Sequence, residues 1–128
     1  MRMDRRTLLA WAGTALLLAL CLMPKAWVAR SSTESPRKIP HLDKVIHFTM
    51  FAGFGFLWTR AARSPMRSRA ARVLTAAIAL AVGTELAQGL PQIERDPDVL
   101  DALADTVGAV TGVGVVALGV RVRDDPRS

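Results

Sequence analysis

Charge in this chain of 128 residues is gathered into clusters that leave four long apolar runs between them, and that segregation most constrains what it can fold into. A soluble helical protein spreads charge along each helix at a 3.6-residue period, so runs without it call for apolar surroundings on every side. The runs are Leu8 to Met23, Val45 to Trp58, Val73 to Leu90 and Val99 to Val120. Crossing about 30 Å of hydrocarbon at 1.5 Å per residue takes roughly 20 residues, so four crossings use about 80 and leave no room for a separate soluble domain. The sequence therefore predicts an all-α fold, a bundle of four transmembrane helices arranged as two hairpins. A single integral membrane domain covers residues 1–128, with helices at about 7–24, 43–60, 72–90 and 98–120.

The runs differ in how plainly they speak. The first follows Arg2, Arg5 and Arg6 and reads as a retained signal anchor, because Ala26-Trp27-Val28-Ala29 lacks a small-x-small cleavage pattern and Leu20 stands where a lipoprotein signal needs a small residue before Cys21. The second has only 14 residues before its first arginines, a length that also suits a buried soluble helix; its apolar neighbours favour a span. Pro91 and Pro97 bracket a short connection, the mark of a tight helical hairpin. The linker from Pro24 to Leu42 reads as a hydrated loop. Trp11, Trp27 and Trp58 are placed as interfacial anchors, and Cys21 as packing.

Basic residues set the orientation. With both termini cytoplasmic, 11 arginines lie inside, five of them between Arg60 and Arg72, against six lysines and arginines outside, which satisfies the positive-inside rule. The net charge of +6 is thus topology, and it predicts a multi-pass protein of the bacterial cytoplasmic membrane whose inner loops attract anionic lipid at about 1 kcal/mol per basic residue. Nucleic acid is excluded as a partner, since aromatics make up 5% of the chain and no tyrosine is present to stack on bases. A single cysteine excludes an internal disulfide scaffold.

Acidic residues lean the other way and mark the candidate site. Asp43 and His47 are four apart on one face where the second helix begins, with Lys44 beside them; Glu85 and Gln88 are three apart just before the third helix ends. Asp98, Asp101, Asp105, Gly108 and Gly112 are spaced by 3, 4, 3 and 4, drawing one stripe down the fourth helix. Three helices thus place polar groups at similar depth near the outer surface, with Arg95 in the connecting loop. A carboxylate facing lipid costs several kcal/mol, so Glu85 and Asp105 should turn inward and find partners, and ionisable groups at such a depth point to function. Gly108 and Gly112 form a small-xxx-small pair for close approach of a helix, in this chain or in a homo- or hetero-oligomer.

These residues resemble the VanZ-like family of membrane proteins. The stretch Pro40-His41-Leu42-Asp43-Lys44-Val45-Ile46-His47-Phe48 is similar to the start of that family's second helix, and Glu85, Gln88, Pro91, Arg95, Asp98, Asp101, Gly108 and Gly112 to its second signature. Asp105 departs from the pattern, standing where the family usually has asparagine. The resemblance implies the membrane architecture and the polar site. The family's namesake is associated with low-level resistance to the glycopeptide teicoplanin, a phenotype that does not carry over with the architecture.

Three functions compete. The first is an envelope membrane protein whose outer-facing polar pocket recognises a cell-envelope lipid or a glycopeptide-type ligand, with carboxylates accepting from amines or hydroxyls and Arg95 as a fork for phosphate. The second is an intramembrane enzyme acting on a lipid head group, by acid–base chemistry at His47 with Glu85 or Asp105, or with a metal on those three residues. The third is a structural or partner-binding subunit. One histidine with carboxylates, and no H-E-x-x-H, G-x-S-x-G or cysteine pair, leads us to expect no resident metal or cofactor and assigns no catalytic residue.

Overall fold

The computed structural model describes residues 3–24, 26–27 and 41–124. Among these are four long helices and no strand: α1 (Arg5–Cys21), α2 (Leu42–Ala61), α3 (Met66–Gln88) and α4 (Val99–Asp124). Most of the linker from Pro24 to Leu42, with Lys25, Arg30, Glu34, Arg37 and Lys38, lies outside the described residues, as do Arg2 and Arg127. Two helices, α3 and α4, are long and apolar enough to cross a membrane.

Local chemistry sets the helix ends. Pro24 follows α1, and a proline disfavours helical backbone in the residue before it. α2 starts after His41, whose backbone is left-handed at φ 65°, and it carries Asp43 in its first turn and Arg60 in its last, matching the helix dipole at both ends. α4 repeats that polarity with Asp101 in its first turn and Arg121 and Arg123 in its last. Asp98 caps α4, its Oδ1 accepting the Leu100 N–H at 2.9 Å. The clearest difference from the predicted bounds is α3, which begins at Met66 rather than near residue 72. Apolarity marks where a helix meets hydrocarbon, not where its hydrogen bonding starts, and Arg67-Ser68-Arg69-Ala70 after Pro65 is good helical sequence.

The helices pack in an order that the chain order does not give. α2 and α4 form the most extensive interface; α1 lies on α2, α3 lies on α4 and more lightly on α2, and α1 barely touches α3. Small residues make the central contact close. A Cβ added to Gly108 would run into the Phe48 carbonyl, one on Gly112 into the Ala52 carbonyl, and one on Gly55 into the backbone of Ala109. The close approach that Gly108 and Gly112 permit is made by the chain's own α2. Trp58 works inside the packing as well as near an end: its Nε1 donates to Thr14 Oγ1 at 2.9 Å and its ring meets Trp11 edge-on, with centroids 5.0 Å apart.

An apolar core around Leu17, Phe51 and Ala77 is joined by buried polar residues, and many large aliphatic side chains face outward. His47, Glu85, Gln88, Asp101 and Asp105 are buried, whereas Leu86, Val99 and Leu118 are 72%, 84% and 63% exposed. Water would reject so many bare aliphatic side chains, while hydrocarbon accepts them and rejects the polar ones.

Candidate functional site

The C-termini of α1 and α3 meet the N-termini of α2 and α4 at one end of the molecule, and the predicted polar residues gather there. Asp43, Lys44 and His47 come from the first turns of α2, Glu85 and Gln88 from the last turn of α3, Asp101 and Asp105 from the first turns of α4, and Arg95 and Asp98 from the loop between α3 and α4.

The outer tier is organised by Lys44. Its ammonium lies 2.8 Å from Asp98 Oδ2, 3.2 Å from Asp101 Oδ1 and 3.3 Å from Asp43 Oδ2, so it joins α2 to the start of α4. The Lys44 ammonium, helped by the Leu100 amide, holds the Asp98 carboxyl below the usual carboxylate range. Asp98 also donates its backbone N–H to Glu85 Oε2 at 2.8 Å, which brings α3 into the same network.

A buried tier lies below. His47 Nδ1 is 2.9 Å from Oδ1 of Asp105, which is wholly buried, and His47 Nε2 is 3.8 Å from Asp101 Oδ2. The imidazole tautomer sets which partner donates in this contact. Two carboxylate oxygens at this depth, Glu85 Oε1 and Asp105 Oδ2, have no hydrogen-bond partner among the described residues. Such groups cost about 1–3 kcal/mol each unless something meets them, and more when charged.

Two predicted site residues also hold α1. Gln88 Nε2 donates to the Cys21 carbonyl at 2.9 Å, and Arg95 Nη1 donates to the same carbonyl at 3.2 Å and to that of Leu20 at 3.4 Å. They satisfy carbonyls that a helix C-terminus leaves without partners. The arm of Arg95 expected to clasp a phosphate is thus engaged with backbone. Sequence spacing could not reveal this, because the acceptors are main-chain atoms some 70 residues earlier in the chain.

The opposite end is basic. A cavity of about 270 Å³ there is lined by Arg6, Arg60, Arg69 and Arg123 together with Phe56 and Val116. Arg69 donates to the Thr59 and Ala62 carbonyls at the end of α2, and the Arg60 guanidinium sits 5.4 Å from the Phe56 ring centroid. Each of these arginines counted toward orientation in the sequence, but only the fold gathers them from four helices.

A family model described as VanZ/LLP1 matches residues 6–120 of the chain. No curated protein and no solved structure matches it.

Proposed function

The chain belongs to the VanZ/LLP1 family, and from that premise we propose that it is a multi-pass protein of the bacterial cytoplasmic membrane whose acidic end faces outward and recognises a cell-envelope lipid or glycopeptide-type ligand. Four helices span the bilayer and both termini are cytoplasmic. The arginine-lined end then meets the anionic inner leaflet, in keeping with the positive-inside rule.

One observation carries the recognition. Among the described residues, five carboxylates, those of Asp43, Glu85, Asp98, Asp101 and Asp105, are gathered with two permanent cations, Lys44 and Arg95, and two buried carboxylate oxygens have no hydrogen-bond partner. Removing charge from water is costly unless it is compensated, so the site favours a ligand that brings a cationic or hydroxyl-rich group. The test is thermal unfolding of the detergent-purified chain against a panel of cell-wall lipids and glycopeptides, with amine-blocked versions of each. Stabilisation by an amine-bearing member that is lost on blocking supports the reading; no shift with any member counts against it.

A second reading, an enzyme that performs acid–base chemistry on a lipid head group, is favoured by the His47–Asp105 pair. Turnover of a head group by the wild-type chain and not by His47→Gln would favour it over recognition alone.

A further inference from the structure

His47, Glu85 and Asp101 come from three different helices, are all buried, and each offer one ligand atom within 4.8 Å of the other two. Ligand atoms about 2.0–2.1 Å from one tetrahedral zinc ion lie about 3.3 Å apart, so side-chain shifts of under about 1 Å would bring the set to coordination distance. His47 Nε2 and Asp101 Oδ2, at 3.8 Å, are too far apart for a hydrogen bond and close to that separation.

The surroundings prepare each donor atom. In the tautomer that donates from Nδ1 to Asp105 Oδ1, the His47 ring is fixed and Nε2 is left for another partner, the arrangement by which a carboxylate behind a metal-bound histidine orients it. Lys44 engages Oδ1 of Asp101 and leaves Oδ2 on the side of the histidine. Glu85 commits Oε2 to the Asp98 amide, while Oε1 is buried without a hydrogen-bond partner on a residue only 8% exposed. A neutral imidazole and two carboxylates also balance the charge of a divalent ion.

We propose that His47, Glu85 and Asp101 bind one divalent transition-metal ion, with Asp105 orienting the imidazole. One nitrogen and two oxygen donors suit zinc, whereas calcium and magnesium favour all-oxygen sites. Sequence spacing alone suggests Asp105 as the third donor beside His47 and Glu85; the geometry exchanges it for Asp101 as a ligand and gives it the supporting place. Three protein ligands leave a coordination position for an oxygen from water or from a phosphate or carboxylate. The site stands beneath the surface where an envelope ligand would rest and does not depend on the identity of that ligand.

The test uses the full chain in detergent, stripped with chelator and titrated with zinc alone in a metal-buffered series, with cobalt(II) absorption as the spectroscopic signature. The expected result is one ion per chain, a raised melting temperature and visible cobalt bands of a low-coordinate nitrogen and oxygen site. Glu85→Gln, which keeps an acceptor for the Asp98 amide, should weaken binding at least tenfold, and Asp124→Asn, exposed at the far end of α4, should leave it unchanged. Asp101→Asn provides the same reading should Glu85→Gln fail to fold. Absence of saturable binding by the wild type, or undiminished binding by the folded ligand variant, would overturn the proposal. Because no lipid or glycopeptide is present, either result leaves the ligand panel to stand or fall by itself.

Discussion

Asp105 shows how one side chain decides the character of the site. It is wholly buried, accepts from His47 and has a second oxygen without a partner. Asp105→Ala would strand the imidazole N–H and should lower stability by about 1–3 kcal/mol, whereas Asp105→Asn retains an acceptor oxygen and should cost far less. Denaturant titration in mixed micelles measures both, and equal losses would show that the hydrogen bond to His47 contributes little. The depth of Asp105 is legible from its spacing to Asp98 and Asp101, but which acid meets which imidazole nitrogen depends on the rotation of α2 against α4, which spacing does not fix. Asp98 supports a prediction about acidity. Its folded-state pKa lies below the ordinary aspartate value, so its charge stabilises the fold above that value, and the contribution fades as pH falls through the lowered one. Asp98→Asn keeps an acceptor for the Leu100 amide and removes the titrating charge. Wild type should therefore melt above this variant near neutral pH, and the gap should close on acidification below about pH 4. A gap that persists at low pH would mean that the Lys44 pair does not set this acid sensitivity.

Helices bring a different lesson. On the proposed four-span reading, lipid tails are as apolar as leucine, so α2 and α4 gain little from hiding aliphatic surface and are held by close backbone approach and interhelical hydrogen bonds. Gly108→Ala puts a methyl against the Phe48 carbonyl, an obstacle that no rotamer change removes, and should cost at least about 1–3 kcal/mol. Gly83→Ala meets nothing within 4 Å and should be neutral or gain about 0.5 kcal/mol through helix propensity. Thermal aggregation of the two variants in detergent separates them, and similar behaviour would remove the case for close approach as the organising contact. The stripe from Asp98 to Gly112 was legible because its 3 and 4 spacing survives any tertiary arrangement. The pairing of α2 with α4 was not, since adjacency in the chain suggests hairpins while small residues on two separated helices set the largest interface. The early start of α3 was missed for a related reason: arginines that repel hydrocarbon still form helix in water.

At the scale of the molecule, acid gathers at one end and arginine at the other, and this polarity makes the orientation testable. An anionic inner leaflet attracts basic residues at about 1 kcal/mol each, and moving arginines outward during insertion is opposed by the bias that sets the topology of multi-pass chains. Arg67 lies in the exposed first turn of α3 toward the basic end, and Asp96 is exposed in the loop at the acidic end. The chain's one cysteine is buried, so Cys21→Ala provides a background in which a new thiol reports on a single place. In intact cells with a permeabilised outer boundary, a membrane-impermeant maleimide should label Asp96→Cys in that background and spare Arg67→Cys until the inner membrane is opened with detergent. The reverse pattern would place the carboxylate cluster in the cytoplasm, out of reach of an envelope ligand. The metal site could survive such a reversal, because its three ligands depend on how the helices pack and not on which side of the bilayer they face, so labelling and metal titration test the two readings separately.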